Sequence, residues 1–346
     1  MTTTASKVFI IGPGLIGWNI LDQLVAEGYQ VTALTRREQQ ASEIRQSGAT
    51  AVMGTLADVE LIREHSAASD IVIQCATGDD LALAQAVLDG ARLRARAGLS
   101  SIYLHTSGAK VFDDGAKGMF CSERVYLDSV RGDMDSVGPD APHRHVDAAL
   151  VAAEEDASLR SHLRLAIVLP PEVYGYDDRH GRLSMTIPKL TRFALKHGYV
   201  PVIGKGLAVE TNVHYRDLVG GYVAILHFLE QQQQEQEQQS IDTNTNTNTT
   251  NPYWLCENGD GTEFAWIDAA TIIARALHQA GRIADPRPRQ PPEQLYGELC
   301  GDRTESYLGL NCRARAVRLR QLGWEPREKK IWESYLDDEL PVLLRE

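Results

Sequence analysis

Apolar positions in the first half of the chain alternate between two periods. A short apolar run over 8–11 ends at Gly12 and reads as a buried strand. Leu15, Ile16, Ile20, Leu21, Leu24 and Val25 then recur at helical spacing until Gly28 stops them. Further strands are expected over 30–34, 51–53, 70–74, 101–105 and 163–169, with helices over 38–46 and about 80–97. Strands that alternate with helices require crossover connections. The expected fold class is therefore α/β, a Rossmann-type doubly wound parallel sheet covered on both faces. Past Pro170 the pattern loosens into helices over 187–197, 217–231 and 269–280, a strand near 253–256 and a basic stretch over 313–320. This reads as a smaller substrate-binding lobe, residues 176–346, interleaved with a first domain over 1–175. A Gln/Glu run and an Asn/Thr alternation over 231–251 form a low-complexity insertion, expected to prolong the preceding helix and then fray.

The junction of the first strand and helix reads Gly12-Pro13-Gly14-Leu15-Ile16-Gly17. In a GxGxxG turn the first glycine permits the tight turn and the second lets backbone approach a pyrophosphate. The third lets helix and strand pack, and the free N–H groups of the helix start face the phosphates. Its place between a strand and a helix makes dinucleotide binding the expectation. The second strand ends Leu34-Thr35-Arg36-Arg37, with no acid before Glu38. A carboxylate there would accept from a ribose 2′-hydroxyl, whereas arginines grip a 2′-phosphate, so NADP(H) is expected over NAD(H). A solvated pair of loop arginines is the plainer alternative.

Composition narrows the partners. The 346 residues carry a formal net charge of -12, with 43% apolar and 24% charged residues. Neither nucleic acid nor an anionic membrane is an expected partner, since both select a basic surface. A small-molecule substrate is expected, on a monomer or homodimer. Five scattered cysteines without a CxxC pair argue against a disulfide framework or zinc site, and no metal is expected. Residues 1–7 lack a signal-peptide apolar stretch, and no run is long enough for a membrane helix, so a cytoplasmic location is expected. HExxH, GxSxG and P-loop motifs are absent.

In order and spacing, the chain resembles the extended and atypical short-chain dehydrogenase/reductases, the NAD-dependent epimerase/dehydratase group, and within it NmrA-like fungal-type NAD(P)-binding proteins. Gly54-Thr55-Leu56-Ala57-Asp58 resembles the family's adenine-bordering segment, which implies a cofactor contact at Leu56. Residues 70–77 resemble the fourth strand whose end, here Ala76 and Thr77, touches the cofactor ribose. His105-Thr106-Ser107-Gly108 resembles the strand end that carries the catalytic Ser/Thr, falling on Ser107 or Gly108, with Thr106 beside the cofactor. Leu169-Pro170-Pro171-Glu172-Val173-Tyr174-Gly175 resembles the turn beside the nicotinamide, with Pro170 and Val173 as contacts and Tyr174 as a possible replacement hydroxyl.

One departure is prominent. The family's Tyr-x-x-x-Lys pair is missing: none of the twelve tyrosines has Lys four residues later. By the resemblance the pair falls on His143 and Asp147. Four residues apart on an expected helix they share a face, and a carboxylate beside a histidine makes a workable acid/base pair. The bland alternative is two solvated first-turn residues, and His145 is a further candidate. Asp177-Asp178-Arg179-His180 specifies no metal and reads as an exposed loop. The first functional expectation is an NADP(H)-dependent enzyme acting on a small, largely apolar molecule such as a secondary metabolite. A redox-neutral isomerase, dehydratase or cyclase and an NmrA-like dinucleotide-sensing regulator are the alternatives.

Overall fold

The computed structural model describes residues 5–239, 251–259 and 261–346. Its first half runs β1 Lys7–Ile11, α1 Leu15–Ala26, β2 Gln30–Thr35, α2 Glu38–Gln46, β3 Thr50–Met53, α3 Val59–Ala67, β4 Ile71–Gln74, α4 Leu81–Arg96 and β5 Ser101–Thr106. Then come α5 Arg144–Glu155, β6 Leu163–Leu169, β7 Glu172–Tyr174, α6 Thr186–His197, β8 Asn212–His214, α7 Tyr215–Gln239, β9 Tyr253–Leu255, α8 Trp266–Gln279 and α9 Thr304–Leu308, with shorter pieces between.

Seven strands form one sheet in the order β9-β6-β5-β4-β1-β2-β3, and every pairing in it is parallel. Chain order reverses between β1 and β4, and the crevice at their C-terminal ends is where such sheets take ligands. β4, β5 and β6 are buried at every residue, as strands covered on both faces must be. α1 packs against α7, and α3 packs against α4, which also meets α5. β9 and α7 come from the second half of the chain yet complete the first core, alongside Val213, Leu310 and Trp324. A second core gathers Ile187, Leu190, Phe193, Trp266, Ile273 and Tyr335. The two halves are thus threaded through each other.

Helix α7 runs through residues 231–239, so the start of the low-complexity stretch is helical, as its Gln and Glu residues favour. The rest of that stretch, 240–250, lies outside the described residues. Among the described residues no helix is long and apolar enough to cross a membrane, and no group of three or more His, Cys, Asp or Glu side chains is placed to hold a metal ion.

Candidate functional site

A continuous cleft follows the C-terminal edge of the sheet. Its first half, about 480 Å³, is bounded by the glycine turn, the end of β2 and the loop after β3. Gly12 has φ +90°, and a Cβ on it would sit 2.5 Å from the Ala76 backbone. A Cβ on Gly17 would lie 2.3 Å from the Gly12 carbonyl oxygen. Protein packing therefore accounts for both glycines. Gly14 is different: the nearest protein atom to a Cβ there is 4.0 Å away, and the residue borders both halves of the cleft. Gly14 caps α1 with no side chain, and no acid sits in the first turn, so the positive end of the helix is left for an anion. A cradle that a single Cβ would fill, at a helix start, fits a dinucleotide pyrophosphate.

The opposite wall of this half carries Arg36, Arg37 and Arg182, and no acidic side chain lines it. Arg36 and Arg37 are exposed. Arg182 is held over the Trp18 ring at 4.7 Å, and burial together with Arg37 lowers its pKa. It arrives on a hairpin of Tyr176–Asp177 and Arg182–Leu183 that is latched to α1. In that latch Asn19 donates to Asp177 at 2.9 Å, and His180 meets Asp22 at 2.7 Å while stacking on Trp18 at 4.6 Å. Gln40 ties the glycine turn to β2: it donates to the Pro13 carbonyl at 2.7 Å and accepts from Thr35 at 2.8 Å.

The second half, about 560 Å³, lies beyond Ala76 and is walled by the ends of β4, β5 and β6, by residues 183–186 and by Tyr307 of α9. Gln74 shapes its entrance, accepting from the Ala76 N–H at 2.8 Å and donating to the Thr77 carbonyl. His143 caps α5 in the left-handed region, φ +66°, which turns its ring off the helix and into the cleft. Gly78 and Gly108 make room for it: a Cβ on either would meet the ring at 2.9 and 3.1 Å. His143 Nδ1 lies 2.8 Å from Asp79 Oδ1, and Arg303 donates to Asp79 Oδ2 at 2.6 Å. Burial pushes the Asp79 pKa up, but Arg303 and His143 outweigh it and hold the carboxyl below its ordinary value. An ionised Asp79 requires the proton on Nδ1, which leaves Nε2 as an acceptor. Burial lowers the His143 pKa despite Asp79, so the imidazole is neutral at neutral pH.

Ser107 donates from Oγ to Asp147 Oδ2 at 2.8 Å. Asp147 is 1% exposed, its Oδ1 has no hydrogen-bond partner, and burial pushes its pKa up to about 7. Lys110, Glu172 and Tyr307 complete the inner wall.

Residues 12–117 match the family model described as NAD(P)H-binding. This stretch is an NAD(P)H-binding domain. Across 341 residues the chain is 27% identical to an oxidase, ucsJ, of an Acremonium species, with 92% of each chain covered. A Thermotoga maritima UDP-glucose 4-epimerase solved with UDP-glucose matches at TM-score 0.64 and 13% identity, over 98% of this chain and all of the epimerase. A yeast methylglyoxal/isovaleraldehyde reductase complexed with NADPH matches at TM-score 0.59 and 14% identity, over 98% of both chains. The whole chain thus shares the fold of these two proteins.

The expected cofactor residues fall along the cleft. Gly12, Pro13, Gly14, Arg36, Arg37, Leu56 and Ala76 border its first half. Leu15, Ile16, Thr77, Thr106, Pro170 and Val173 border its second half, and Gly17 lies beneath the turn. Ser107 and His143 also border the second half. Four expectations need correction. His143 and Asp147 do not pair: His143 precedes the helix, so the i,i+4 rule does not apply to it, and its carboxylate is Asp79 from after β4. Asp147 is buried behind Ser107 and does not line the cleft. Tyr174 is fully buried in the second core, its hydroxyl donating to the Lys329 carbonyl at 2.7 Å and accepting from Asn258 at 2.7 Å, out of reach of the cleft. Nor is 177–180 simply an exposed loop, since Asp177 is buried and His180 is docked on α1. Sequence reading passed over Gln40, Asp79, Lys110, Glu172, Arg182 and Tyr307. Asp79, just past a strand C-terminus, and Glu172, inside the turn that resembles the one beside the nicotinamide, carried a positional signal.

Proposed function

We propose that this protein is an NADP(H)-dependent oxidoreductase acting on a small, largely apolar molecule at a carbonyl or carbinol carbon. The observation that carries the cofactor choice is the wall of three arginines without an acid, which suits a 2′-phosphate and leaves a ribose 2′-hydroxyl no carboxylate. Gly14 and the bare start of α1 take the pyrophosphate. When bound, the cofactor supplies or removes a hydride.

The chain's own task is then to handle a proton at the substrate oxygen. His143 is the group for it. Asp79 fixes its tautomer, Arg303 fixes Asp79, and Nε2 receives a hydroxyl proton in the oxidising direction and returns it in the reducing one. Ile16, Pro170, Pro171, Val173, Leu183 and Met185 give the same half an apolar wall. The test is incubation with NADPH or NADH and a panel of ketones and enones, following cofactor absorbance and products. Oxidation of NADPH in preference to NADH supports the reading. Product change with no cofactor consumed would replace it with a redox-neutral reaction in the same cleft.

A further inference from the structure

At the inner end of the cleft three ionisable side chains are walled in together: Lys110, Glu172 and Glu210. Glu210 is fully buried, Glu172 is 2% exposed, and the Lys110 side chain is 14% exposed. The lysine is already committed. Its Nζ donates to Glu210 Oε1 at 3.0 Å and to the Tyr307 carbonyl at 3.1 Å, and it lies over the Tyr307 and Trp266 rings at 5.4 and 5.9 Å. One ammonium thus faces two buried carboxyl groups and forms its ion pair with Glu210. Glu172 has the Thr186 hydroxyl as a hydrogen-bond donor, while Lys110, Glu210 and Glu339 act on it through their charges. It borders the cleft beside Pro171, Val173, Leu183 and Met185. A lone carboxylate in that setting is costly, whereas a neutral carboxylic acid is not, and a neutral acid carries an O–H in need of an acceptor. Burial raises the Glu172 pKa accordingly, with Glu210 adding to it and Lys110 opposing.

We propose that Glu172 is a specificity-determining hydrogen-bond donor: it stays protonated and binds an uncharged oxygen acceptor on the substrate, a ketone, ester or amide carbonyl. The inner end of the cleft therefore selects neutral carbonyl compounds over amines, whose ammonium form would demand a carboxylate there. No bond is made or broken at Glu172, and proton transfer remains with His143. The proposal rests on the reading that this end of the cleft receives the organic substrate.

Two measurements test it. The first needs no turnover. Infrared difference spectra of wild type against Glu172→Gln, at pH 6.5, should show the carbonyl stretch of a protonated carboxyl group that the variant lacks. A carboxylate signal in its place overturns the proposal. The second is binding of cyclohexanone, acetophenone and cyclohexylamine by ligand-observed NMR. The ketones should bind wild type in preference to the amine. Glu172→Gln, which keeps an N–H donor, should bind them within a few-fold of wild type. Glu172→Leu should weaken them about ten-fold or more. Wild-type affinity for the ketones should also fall as pH rises and Glu172 ionises. Preference for the amine, failure of both ketones to bind wild type, or undiminished ketone binding by Glu172→Leu would each overturn it. Ketone reduction by wild type with an unchanged KM in Glu172→Leu would remove this proposal and leave the oxidoreductase reading standing.

Discussion

Two glycines, two residues apart, should respond to the same substitution in opposite ways. In Gly12→Ala the new Cβ meets the Ala76 Cα and N at 2.5 Å, and φ +90° is a conformation that alanine resists. The conformational penalty is about 1–2 kcal/mol, and forcing backbone apart in a packed turn adds about 1–3 kcal/mol. A total of roughly 2–5 kcal/mol lowers the Tm of a chain of 346 residues by about 3–7 °C. In Gly14→Ala the φ is -92°, ordinary for alanine, and beyond its chain neighbours the nearest protein atom to the new Cβ is the Gly12 carbonyl oxygen at 4.0 Å. Only the modest preference for glycine over alanine at a helix N-cap is lost, about 1 kcal/mol or less. The Cβ instead occupies the space where a pyrophosphate meets the start of α1. Withdrawing a phosphate from those amides forfeits at least one charge-assisted hydrogen bond, about 1.5–3 kcal/mol, or roughly a 10–150-fold rise in Kd. Differential scanning fluorimetry and calorimetric titration with NADPH measure the two quantities on the same samples. If Gly14→Ala binds NADPH as tightly as the parent, or if both variants lose stability alike, the assignment of Gly14 to the cofactor is refuted.

Further consequences follow from the same geometry. Replacing Arg36 and Arg37 together by Ala should weaken NADPH by about 1–3 kcal/mol, discounted to the lower end because both are exposed, while NADH binding stays nearly constant; equal losses for the two cofactors would refute the 2′-phosphate assignment. His143→Phe should reduce turnover by roughly 10²–10⁴-fold without lowering the Tm. In the oxidising direction the parent's activity should fall as pH drops through a His143 value below 6.5, and Asp79→Asn, which removes the partner that raises that value, should move the limb to still lower pH. Asp147 concerns stability. Its folded value, about 7, lies above its unfolded value of about 3.8, so the native state binds the extra proton between them and stability declines as pH rises through that window. Asp147→Asn removes this dependence, and the Tm difference between variant and parent should shift in the variant's favour from pH 4 to pH 8; a constant difference would show that Asp147 is ionised throughout.

Much of the architecture is legible in one dimension because it rests on periodicity. Buried strands such as 101–106 and 163–169 need apolar runs, and α1 needs its apolar stripe, so these elements declare themselves. Helix α3 does not: it buries little beyond Ile62 and Ser66, too short a stripe to stand out. The glycine turn is legible for a different reason, since each of its conformational demands is met by one residue type at one position.

The chemistry at the far end of the cleft is not local in this way. Sequence alone fixed neither the partner of His143 nor the burial of Tyr174. A helical offset pointed to Asp147, but a single left-handed residue at the start of α5 turned the ring toward Asp79, 64 positions earlier, which Arg303 holds from 224 positions later. Lys110 and Glu210 lie a hundred positions apart and meet only because the second half of the chain is threaded back through the first core. What the sequence by itself determined is the parallel sheet, the glycine turn between β1 and α1 and the arginines that follow β2, because each follows from the residues in one short window. Which carboxyl group lies beside His143, and which of two buried glutamates forms the ion pair with Lys110, was decided by tertiary structure, because charge pairing and burial depend on distance through the fold and not along the chain.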